Sequence, residues 1–435
     1  MRAVKMKFNL NPGLILGGAT AATQIEGGDT NNNWYRFASE GKIYDGTTPY
    51  DAGGHYKRVE EDVEIMASLG LQVYRMGVEW SRIEPKQGEF SEEALAHYRG
   101  EIEMLIKAGI RPMLTLHHFT NPLWFEDMGG FTHKDSPDIF MNFAEHVVDY
   151  LGDLVADYIT INEPNVYSTN SLFYGTWPPE KKSLSALIKA YSNLTACHIR
   201  AYNMIHEKRV AMGHKREETL VSFANHLRVF APKDPKNIFH KISASLTEYL
   251  FQGCLTRSFM EGKCIFPVFK RRGVKRGKYY DYIGINYYSR STVSGIGDGT
   301  REHCPKNDLG WEIYHEGLIE LSNELYKKYK APIFVTENGT CDNTDAFRSL
   351  FIYDQLKLIS QTENHIERYY HWSVFDNFEW REGESSRFGL VHIDYRTEER
   401  AVKKSGHFYA DIIKNNGVTD EAYEAYVSGE KYNIK

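Results

Sequence analysis

The sequence predicts an α/β fold, a single (β/α)8 barrel over residues 1–435. Strand-like and helix-like segments alternate along the chain, which favours a parallel sheet covered by helices. The strand-like segments number eight and are mostly continuous apolar runs, as in strands buried on both faces. No linker, low-complexity tract or repeat divides the series, so we expect one domain with long loops.

Each predicted strand is rich in β-branched or aromatic residues and is bounded by polar residues, Gly or Pro. In chain order the strands are Leu14–Ala22, Gln72–Trp80, Arg111–Phe119, Asp157–Glu163, Leu220–His226, Tyr282–Ser289, Pro332–Gly339 and Arg368–Phe375. Most neighbours are separated by helical patterns. In Tyr56–Leu69, for example, apolar residues recur with helical spacing and Gly70 follows as a stop signal. Longer insertions follow the fourth, fifth and sixth strands, where barrel loops build the active site.

Composition is that of an ordinary globular protein, with 42% hydrophobic and 25% charged residues. The net charge of −6 provides no broad basic field, which argues against nucleic acid or a membrane as the main partner. The one basic cluster, Lys270–Lys278, indicates a solvated loop, with a polyanion site as the less favoured alternative. An aromatic content of 14% fits a carbohydrate site but also serves cores.

Neither the amino-terminal stretch nor the cysteines indicate export. Met1–Phe8 lacks an apolar stretch of signal-peptide length, and no segment approaches a membrane span, so we expect a cytoplasmic protein. The five cysteines are Cys197, Cys254, Cys264, Cys304 and Cys341. They are odd in number and scattered without metal-type spacing, which predicts reduced thiols, no metal site and no cofactor.

Two glutamates close apolar strands: Glu163 in Asn162-Glu163-Pro164 and Glu337 in Thr336-Glu337-Asn338-Gly339. The carboxyl ends of barrel strands surround the active site. Hydrolysis of a glycosidic bond requires a pair of carboxyl groups in such a site. Polar and aromatic residues also lie at or beyond other strand ends: Gln24, Glu26, Arg75, His117, His118, Asn286, Tyr288, Trp372, Asp376, Glu379 and Trp380. Their agreement indicates one polar pocket on the rim.

These segments together resemble glycoside hydrolase family 1, the retaining β-glycosidases with a (β/α)8 fold. The matching segments are Ala22–Gly27 (ATQIEG), Tyr74-Arg75, Trp80–Ile83 (WSRI), Asn162-Glu163-Pro164, Ile283–Tyr288 (IGINYY), Thr336–Gly339 (TENG), Trp372–Trp380 (WSVFDNFEW) and Arg387–Leu390 (RFGL). The resemblance covers nearly the whole chain. It implies that Glu163 is the general acid/base and Glu337 the nucleophile of a double displacement.

A retaining mechanism requires the two carboxyl groups to lie about 5–5.5 Å apart. By the resemblance, Arg75 and Tyr288 keep Glu337 ionised, so that mutual repulsion leaves the proton on Glu163. Asn162 resembles the amide that binds the sugar 2-hydroxyl. The remaining substrate-binding residues implied by the family pattern are Gln24, His118, Asn286, Trp372, Glu379, Trp380 and Phe388.

The chain departs from the family pattern after the third strand. Many members follow the histidine with Trp-Asp, whereas His118 is followed by Phe119-Thr120. The Phe119 side chain has no N–H group and Thr120 has no carboxylate, so the hydrogen bonds that Trp and Asp would form beside the site are in doubt. Asn225, beyond the fifth strand, has too short a matching context to join the catalytic set.

The sequence favours a small-molecule β-glycoside or oligosaccharide as the substrate, with glucose the first choice and galactose or fucose open. A 6-phospho-β-glycosidase is the alternative, supported by Arg381 and Arg387 but opposed by Glu379, which would repel a phosphate. Transglycosylation by the same carboxylates and homo-oligomer formation also stay open. A metal-dependent hydrolase using His117 and His118 is less favoured, since adjacent strand residues point to opposite faces.

Overall fold

The computed structural model describes residues 6–295 and 297–434, and a closed parallel barrel forms its centre. The barrel strands are β1 (Ile15–Ala19), β2 (Val73–Gly77), β3 (Arg111–Thr115), β4 (Asp157–Asn162), β5 (Leu220–Pro232), β6 (Ile283–Ser294), β7 (Ile333–Asn338) and β8 (Ile366–Trp372). Each strand pairs in parallel with the next, and β8 pairs with β1 to close the ring. The predicted fold is therefore confirmed.

The observed strand ends differ from the predicted ones. β1 ends at Ala19, because a short helix begins at Ala22, and β2 ends before the helix Trp80–Ile83. The apolar residues beyond these ends pack inside rim helices rather than in the ladder. β5 and β6 instead run on together to Pro232 and Ser294, well past the predicted ends.

Helices between the strands cover the outside of the barrel. The longer ones are Val59–Ser68, Glu92–Lys107, Ser136–Leu151, Leu184–Ala211, Ile238–Glu248, Cys254–Glu261, Glu316–Tyr329, Arg348–Gln361, Lys404–Asn415 and Asp420–Tyr426. Shorter ones are Ala22–Ile25, Asn33–Ser39, Trp80–Ile83, Leu123–Asp127 and Pro164–Ser168, with π-helical turns at Thr169–Tyr174 and Tyr249–Gly253. Short strands outside the barrel are Phe8–Asn9, Gly297–Gly299, Pro305–Lys306, Val391–Asp394, Glu399–Val402, Gly417–Val418 and Asn433–Ile434.

The barrel interior is filled from its amino-terminal end. There, Asp157 accepts hydrogen bonds from Arg111 at 2.6 Å and from Arg368 at 2.5 Å. Apolar side chains of the strands stack above this ion pair and continue to Trp372 and Phe388 at the opposite end. These charged and apolar side chains fill the described barrel interior, and a ligand can therefore enter at the carboxyl-terminal end.

The ends of the chain and the cysteines complete the description. The prediction that Met1–Phe8 contains no signal peptide concerns residues 1–5 in large part, and these lie outside the described residues. No helix in residues 6–295 or 297–434 has the length and apolarity needed to cross a bilayer. All five cysteines, each within the described part of the chain, are unbridged.

Candidate active site

The predicted site residues converge on one open cavity of about 230 Å³ at the carboxyl end of the barrel. Eight of them line its wall: His118, Glu163, Tyr288, Glu337, Trp372, Glu379, Trp380 and Phe388. The other four, Gln24, Arg75, Asn162 and Asn286, are completely buried and hydrogen-bond to the lining residues. Both glutamates singled out in the sequence therefore face the same space.

Glu337 ends β7 inside a set of fixed donors. The Arg75 guanidinium forms an ion pair with Oε1 of Glu337, and the Tyr288 hydroxyl donates to Oε2 at 2.6 Å. Gly339 follows where a Cβ atom would come within 1.9 Å of the carbonyl oxygen of Trp372. Only glycine allows the strand end to approach β8 so closely. The close approach explains why the Thr-Glu-Asn sequence is followed by glycine.

Glu163 follows β4 in a left-handed backbone conformation, with φ of 42°. A non-glycine residue held there costs on the order of 1–3 kcal/mol, and such strain is concentrated at functional sites. Pro164 then begins the helix Pro164–Ser168. Oε1 of Glu163 accepts hydrogen bonds from Asn286 Nδ2 at 2.8 Å and from His226 Nδ1 at 3.1 Å. Strand, strained residue and helix together aim the carboxyl group into the cavity.

A buried amide network joins the two carboxyl groups. Asn162 Oδ1 accepts from Arg75 Nη2 at 2.7 Å and from Asn286 Nδ2 at 2.9 Å. Thr336 donates to Asn286 Oδ1 at 2.6 Å, which fixes the orientation of that amide. The residues that hold Glu163 and Glu337 are thus parts of one rigid framework.

The electrostatics of Glu337 depend on its neighbours. Burial raises the pKa of its carboxyl group to about 7; Arg75 opposes the rise, repulsion from Glu163 adds to it, and Tyr288 opposes it. Two coupled carboxyl groups release their protons in two steps that belong to the pair. The pair therefore retains one proton up to about pH 7.

At Glu163, burial also raises the pKa, but His226 and Asn286 more than offset it and hold the pKa of this carboxyl below its ordinary value. That Glu163 holds the proton while Glu337 is ionised therefore stays a prediction. The proton belongs to the pair, because His226 supplies a donor that the sequence pattern had not placed beside Glu163.

The far end of the cavity presents aromatic rings and unfilled hydrogen-bonding atoms. The His118 ring stacks between Trp372 and Trp380, with ring centroids 5.8 Å away on each side. Asn162 Nδ2 lies 3.0 Å from His118 Nε2 and donates to it, so His118 Nδ1 carries the proton. Burial lowers the pKa of His118 well below its usual range and keeps the ring neutral. His118 Nδ1 and Gln24 Oε1 are buried and have no partner among the described residues.

Glu379 completes this end. Burial raises the pKa of its carboxyl group to about 8, and repulsion from Glu337 adds to the effect. At neutral pH the group is largely protonated and can donate as well as accept. A buried donor, a buried acceptor and a neutral carboxyl group beside indole rings suit a ligand with several hydroxyl groups.

The comparisons with known proteins identify the family. The family model of glycosyl hydrolase family 1 matches residues 6–418. The chain belongs to glycosyl hydrolase family 1. Beta-glucosidase A of Acetivibrio thermocellus is 32% identical over 94% of this chain and 99% of its own length. A chloroplastic galactolipid galactosyltransferase of Arabidopsis thaliana is 30% identical over 83% of this chain and 58% of its own length. The solved beta-glycosidase of Pyrococcus horikoshii superposes with a TM-score of 0.87 and 29% identity, covering 97% of this chain and 98% of its own.

This family 1 enzyme, a glycoside hydrolase, departs from the family pattern after His118, and other contacts replace those of the usual residues. Phe119 packs against Trp177 and Trp380, with centroids 5.1 Å away in both cases. The Thr120 hydroxyl lies 2.7 Å from that of Thr23, which donates to the buried Glu79. The Phe119 ring therefore packs where many family members have an indole, and the Thr120 hydroxyl bonds to Thr23 where they have a carboxylate.

Several residues of the family 1 cavity were not predicted: Val166, Asn170, Trp177, His226, Arg228, Leu309, Trp311, Arg381 and Glu382. His226 and Arg228 lie on β5, which was predicted to end at His226, so the alternation that aims both inward was not visible. Asn225, which the sequence left out, hydrogen-bonds Thr256 at 3.1 Å and does not line the cavity.

The two histidines after β3 point in different directions, as the alternation of strand residues predicts. His117 donates to Asn121 at 3.0 Å and packs among Trp80, Phe131 and Tyr167, whereas His118 faces the cavity. Within the described part of the chain, no three His, Cys, Asp or Glu side chains are grouped to hold a metal ion.

Proposed function

We propose that this enzyme hydrolyses terminal, non-phosphorylated β-glycosides with net retention, through a covalent glycosyl-enzyme intermediate. The observation that carries the proposal is the placement of Glu163 and Glu337 on one cavity, with Glu337 held between Arg75 and Tyr288. The raised pKa of Glu337 reflects burial and repulsion from Glu163. Within the one-proton state of the pair, the Arg75 cation at contact distance stabilises an anion on Glu337 more strongly than neutral N–H groups stabilise one on Glu163. Glu337 is therefore assigned as the nucleophile and Glu163 as the acid/base.

In the first step, a carboxylate oxygen of Glu337 attacks the anomeric carbon, and the bond to the aglycone oxygen breaks. Glu163 transfers its proton to that oxygen, which leaves as an alcohol. The products are a glycosyl ester on Glu337 and an ionised Glu163. In this proposal Asn162 binds the sugar 2-hydroxyl, and its amide oxygen is held by Arg75 and Asn286.

In the second step, water attacks the anomeric carbon, Glu163 takes its proton, and the ester bond to Glu337 breaks. Esterification removes the negative charge of Glu337, which removes its repulsion on Glu163 and lowers the pKa of Glu163. His226 and Asn286 lower this pKa further. Glu163 is then an anion when it has to act as a base.

The cavity favours a neutral sugar over a phosphorylated one. Arg387, which kept the phosphorylated alternative open, donates to Asp376 at 3.0 Å and to the carbonyl of Ile393 at 2.8 Å. It is therefore committed to structural contacts. Arg381 lines the cavity, but Glu382 lies next to it in the lining, and its carboxylate would repel a phosphate dianion.

A panel of nitrophenyl glycosides tests the substrate assignment. We expect β-glucoside to be hydrolysed fastest, β-galactoside and β-fucoside at lower rates, and α-anomers and 6-phospho-β-glucoside not detectably. Proton NMR of the first product distinguishes retention from inversion. Preference for the phosphorylated sugar, or an α-configured first product, would contradict the proposal.

Glycosyl transfer is a second candidate, and the galactosyltransferase among the relatives favours it. The intermediate on Glu337 is the same, and an alcohol replaces water in the second step. Reaction in the presence of an added alcohol distinguishes the two functions. Release of the aryl group that greatly exceeds release of free sugar identifies a transferase.

A further inference from the structure

The insertion after β5 carries a stripe of apolar side chains that faces solvent. Ile238, Ile242, Leu246 and Leu250 are spaced four residues apart in the helix Ile238–Glu248 and the turn that follows, and Phe239 adjoins them. Between 37% and 75% of the surface of each is exposed. Only Ala244 of this helix is buried. A surface helix normally turns such a stripe towards the core, so this face is without a partner in the described chain.

A second apolar group lies next to the stripe. Phe266 and Phe269 are exposed, with ring centroids 6.3 Å apart. The Tyr249 hydroxyl donates to the carbonyl of Phe266 at 2.5 Å and so ties this loop to the end of the stripe. The loop and the stripe also meet the same helix, Leu184–Ala211, at its consecutive residues 191 and 192. We call Ile238–Leu250 and Phe266–Lys278 together the insertion surface.

The insertion surface is strongly basic although the whole chain is acidic. Lys270, Arg271, Arg272, Lys275, Arg276 and Lys278 follow the two phenylalanines without an intervening acid. Lys233 and Lys236 precede the helix, with Asp234 between them, and Lys241 lies in its first turn. Among the residues that the structure describes, none of these nine cations forms a salt bridge. The positive charge is therefore available to a partner.

We propose that the insertion surface docks onto an anionic lipid bilayer. A stripe of Ile, Leu and Phe side chains flanked by Lys and Arg is the pattern of helices that lie in the bilayer interface, with cations at the headgroups. A second copy of the chain fits less well. A two-fold contact would bring each basic cluster close to its symmetry mate, and Glu248 is the only acid of the insertion surface that could oppose this repulsion.

The insertion surface also continues to the cavity. The Phe251 ring follows the stripe and lies 6.1 Å from the His226 ring, and the Arg228 guanidinium lies 5.8 Å from the Phe251 centroid. His226 and Arg228 both line the cavity. Docking would therefore place the side of the cavity formed by His226 and Arg228 nearest to the lipid.

Co-sedimentation with vesicles tests the proposal. We expect the protein to sediment with vesicles of phosphatidylcholine and phosphatidylglycerol, much less with phosphatidylcholine alone, and less at high salt. The double variant I242S/L246S and the charge variant K270E/R272E should each reduce binding by about tenfold or more. The control is V210S/M212S, two exposed apolar residues at the far end of the long helix, roughly 28 Å from residue 191 along its axis.

The assay separates docking from catalysis, because all variants lie outside the catalytic groups and should retain activity on a soluble aryl glycoside. Absence of binding to the anionic vesicles, or equal binding by the double variant, would overturn the proposal. So would a concentration-dependent dimer in analytical ultracentrifugation that I242S/L246S abolishes, since the face would then belong to a second copy. A variant with altered thermal unfolding is replaced by I238S, whose side chain is 59% exposed.

Discussion

His226 lies against the carboxyl group of Glu163, with its Nδ1 atom 3.1 Å from Oε1. The Arg228 Nε atom donates to the other ring nitrogen of His226 at 2.9 Å, so the Nδ1 proton points at Glu163. Burial lowers the pKa of His226 and keeps the ring neutral. The proposed acid/base, Glu163, thus has a neutral hydrogen-bond donor in His226, and Arg228 fixes the orientation of that ring.

His226→Leu should shift the basic limb of the kcat/KM profile to higher pH. His226 lowers the pKa of Glu163, and its loss therefore raises that pKa, while the hydrogen bond from Asn286 and the charge of Arg75 stay unchanged. A general acid must be protonated, so activity then persists to higher pH, by up to about one unit. His226→Gln is the control, because its amide can restore an N–H donor. Identical profiles for the two variants would show that the donor has no influence.

Glu163→Ala should affect substrates according to their leaving groups. A dinitrophenolate needs little protonation, whereas an alkoxide needs a full proton, so methyl β-glucoside should lose about 10²–10⁴-fold in its cleavage rate and the dinitrophenyl substrate much less. Pre-steady-state release of the leaving group, dinitrophenolate or methanol, measures this step directly. A uniform loss across the leaving groups would argue against Glu163 as the proton donor.

Tyr288→Phe should move the acidic limb of the profile to higher pH. The hydroxyl donates to Glu337 at 2.6 Å and lowers the pKa of that carboxyl group. Its removal raises this pKa, and the nucleophile must be ionised to attack. A hydrogen bond to a charged group is worth about 1.5–3 kcal/mol, which corresponds to a shift of roughly one to two pH units. An unchanged acidic limb would mean that Tyr288 does not stabilise the anion.

His55 provides a test of stability away from the cavity. It lies between Asp62 and Glu101, 2.7 and 3.1 Å from their carboxylate oxygens. Burial alone lowers the pKa of His55, but Glu101 and Asp62 outweigh it and raise the pKa to about 10, from 6.5. The stabilisation is complete below pH 6.5 and is lost as the pH rises to about 10.

His55→Gln should therefore lower the free energy of unfolding at pH 7 by about 3–5 kcal/mol, the cost of breaking a buried ion pair. The difference from the wild type should shrink between pH 7 and pH 10, as the wild-type histidine loses its proton. Urea unfolding at several pH values measures both quantities. A difference that is independent of pH would show that His55 is neutral in the folded protein.

The barrel was predictable from the sequence because buried parallel strands are continuous apolar runs followed by polar residues, and the family was predictable because the motif segments resemble it. Glu163 and Glu337 each follow such a run directly, and both line the cavity. The strand ends were less predictable. The apolar residues around Trp80 continue from a strand into a rim helix, and composition does not reveal where the ladder hydrogen bonds stop.

His226 and the insertion surface show what the sequence left undetermined. The direction of His226 depends on β5 continuing to Pro232, which follows from its pairing with β6 rather than from its own residues. The stripe from Ile238 to Leu250 has the periodicity of an ordinary core-facing helix. Only the packed structure reveals that it faces solvent.

Chemical rescue of Glu337→Gly tests the central claim most directly. The account predicts that the variant loses hydrolysis of an aryl β-glucoside by at least about a thousandfold with its fold intact. Added azide, which fits the vacated space, should restore release of the aryl group and yield the α-glycosyl azide, whereas the wild type should form none of this product. Hydrolysis near the wild-type rate in Glu337→Gly, or rescue that yields only the β-glycosyl azide, would contradict the assignment of Glu337 as the nucleophile.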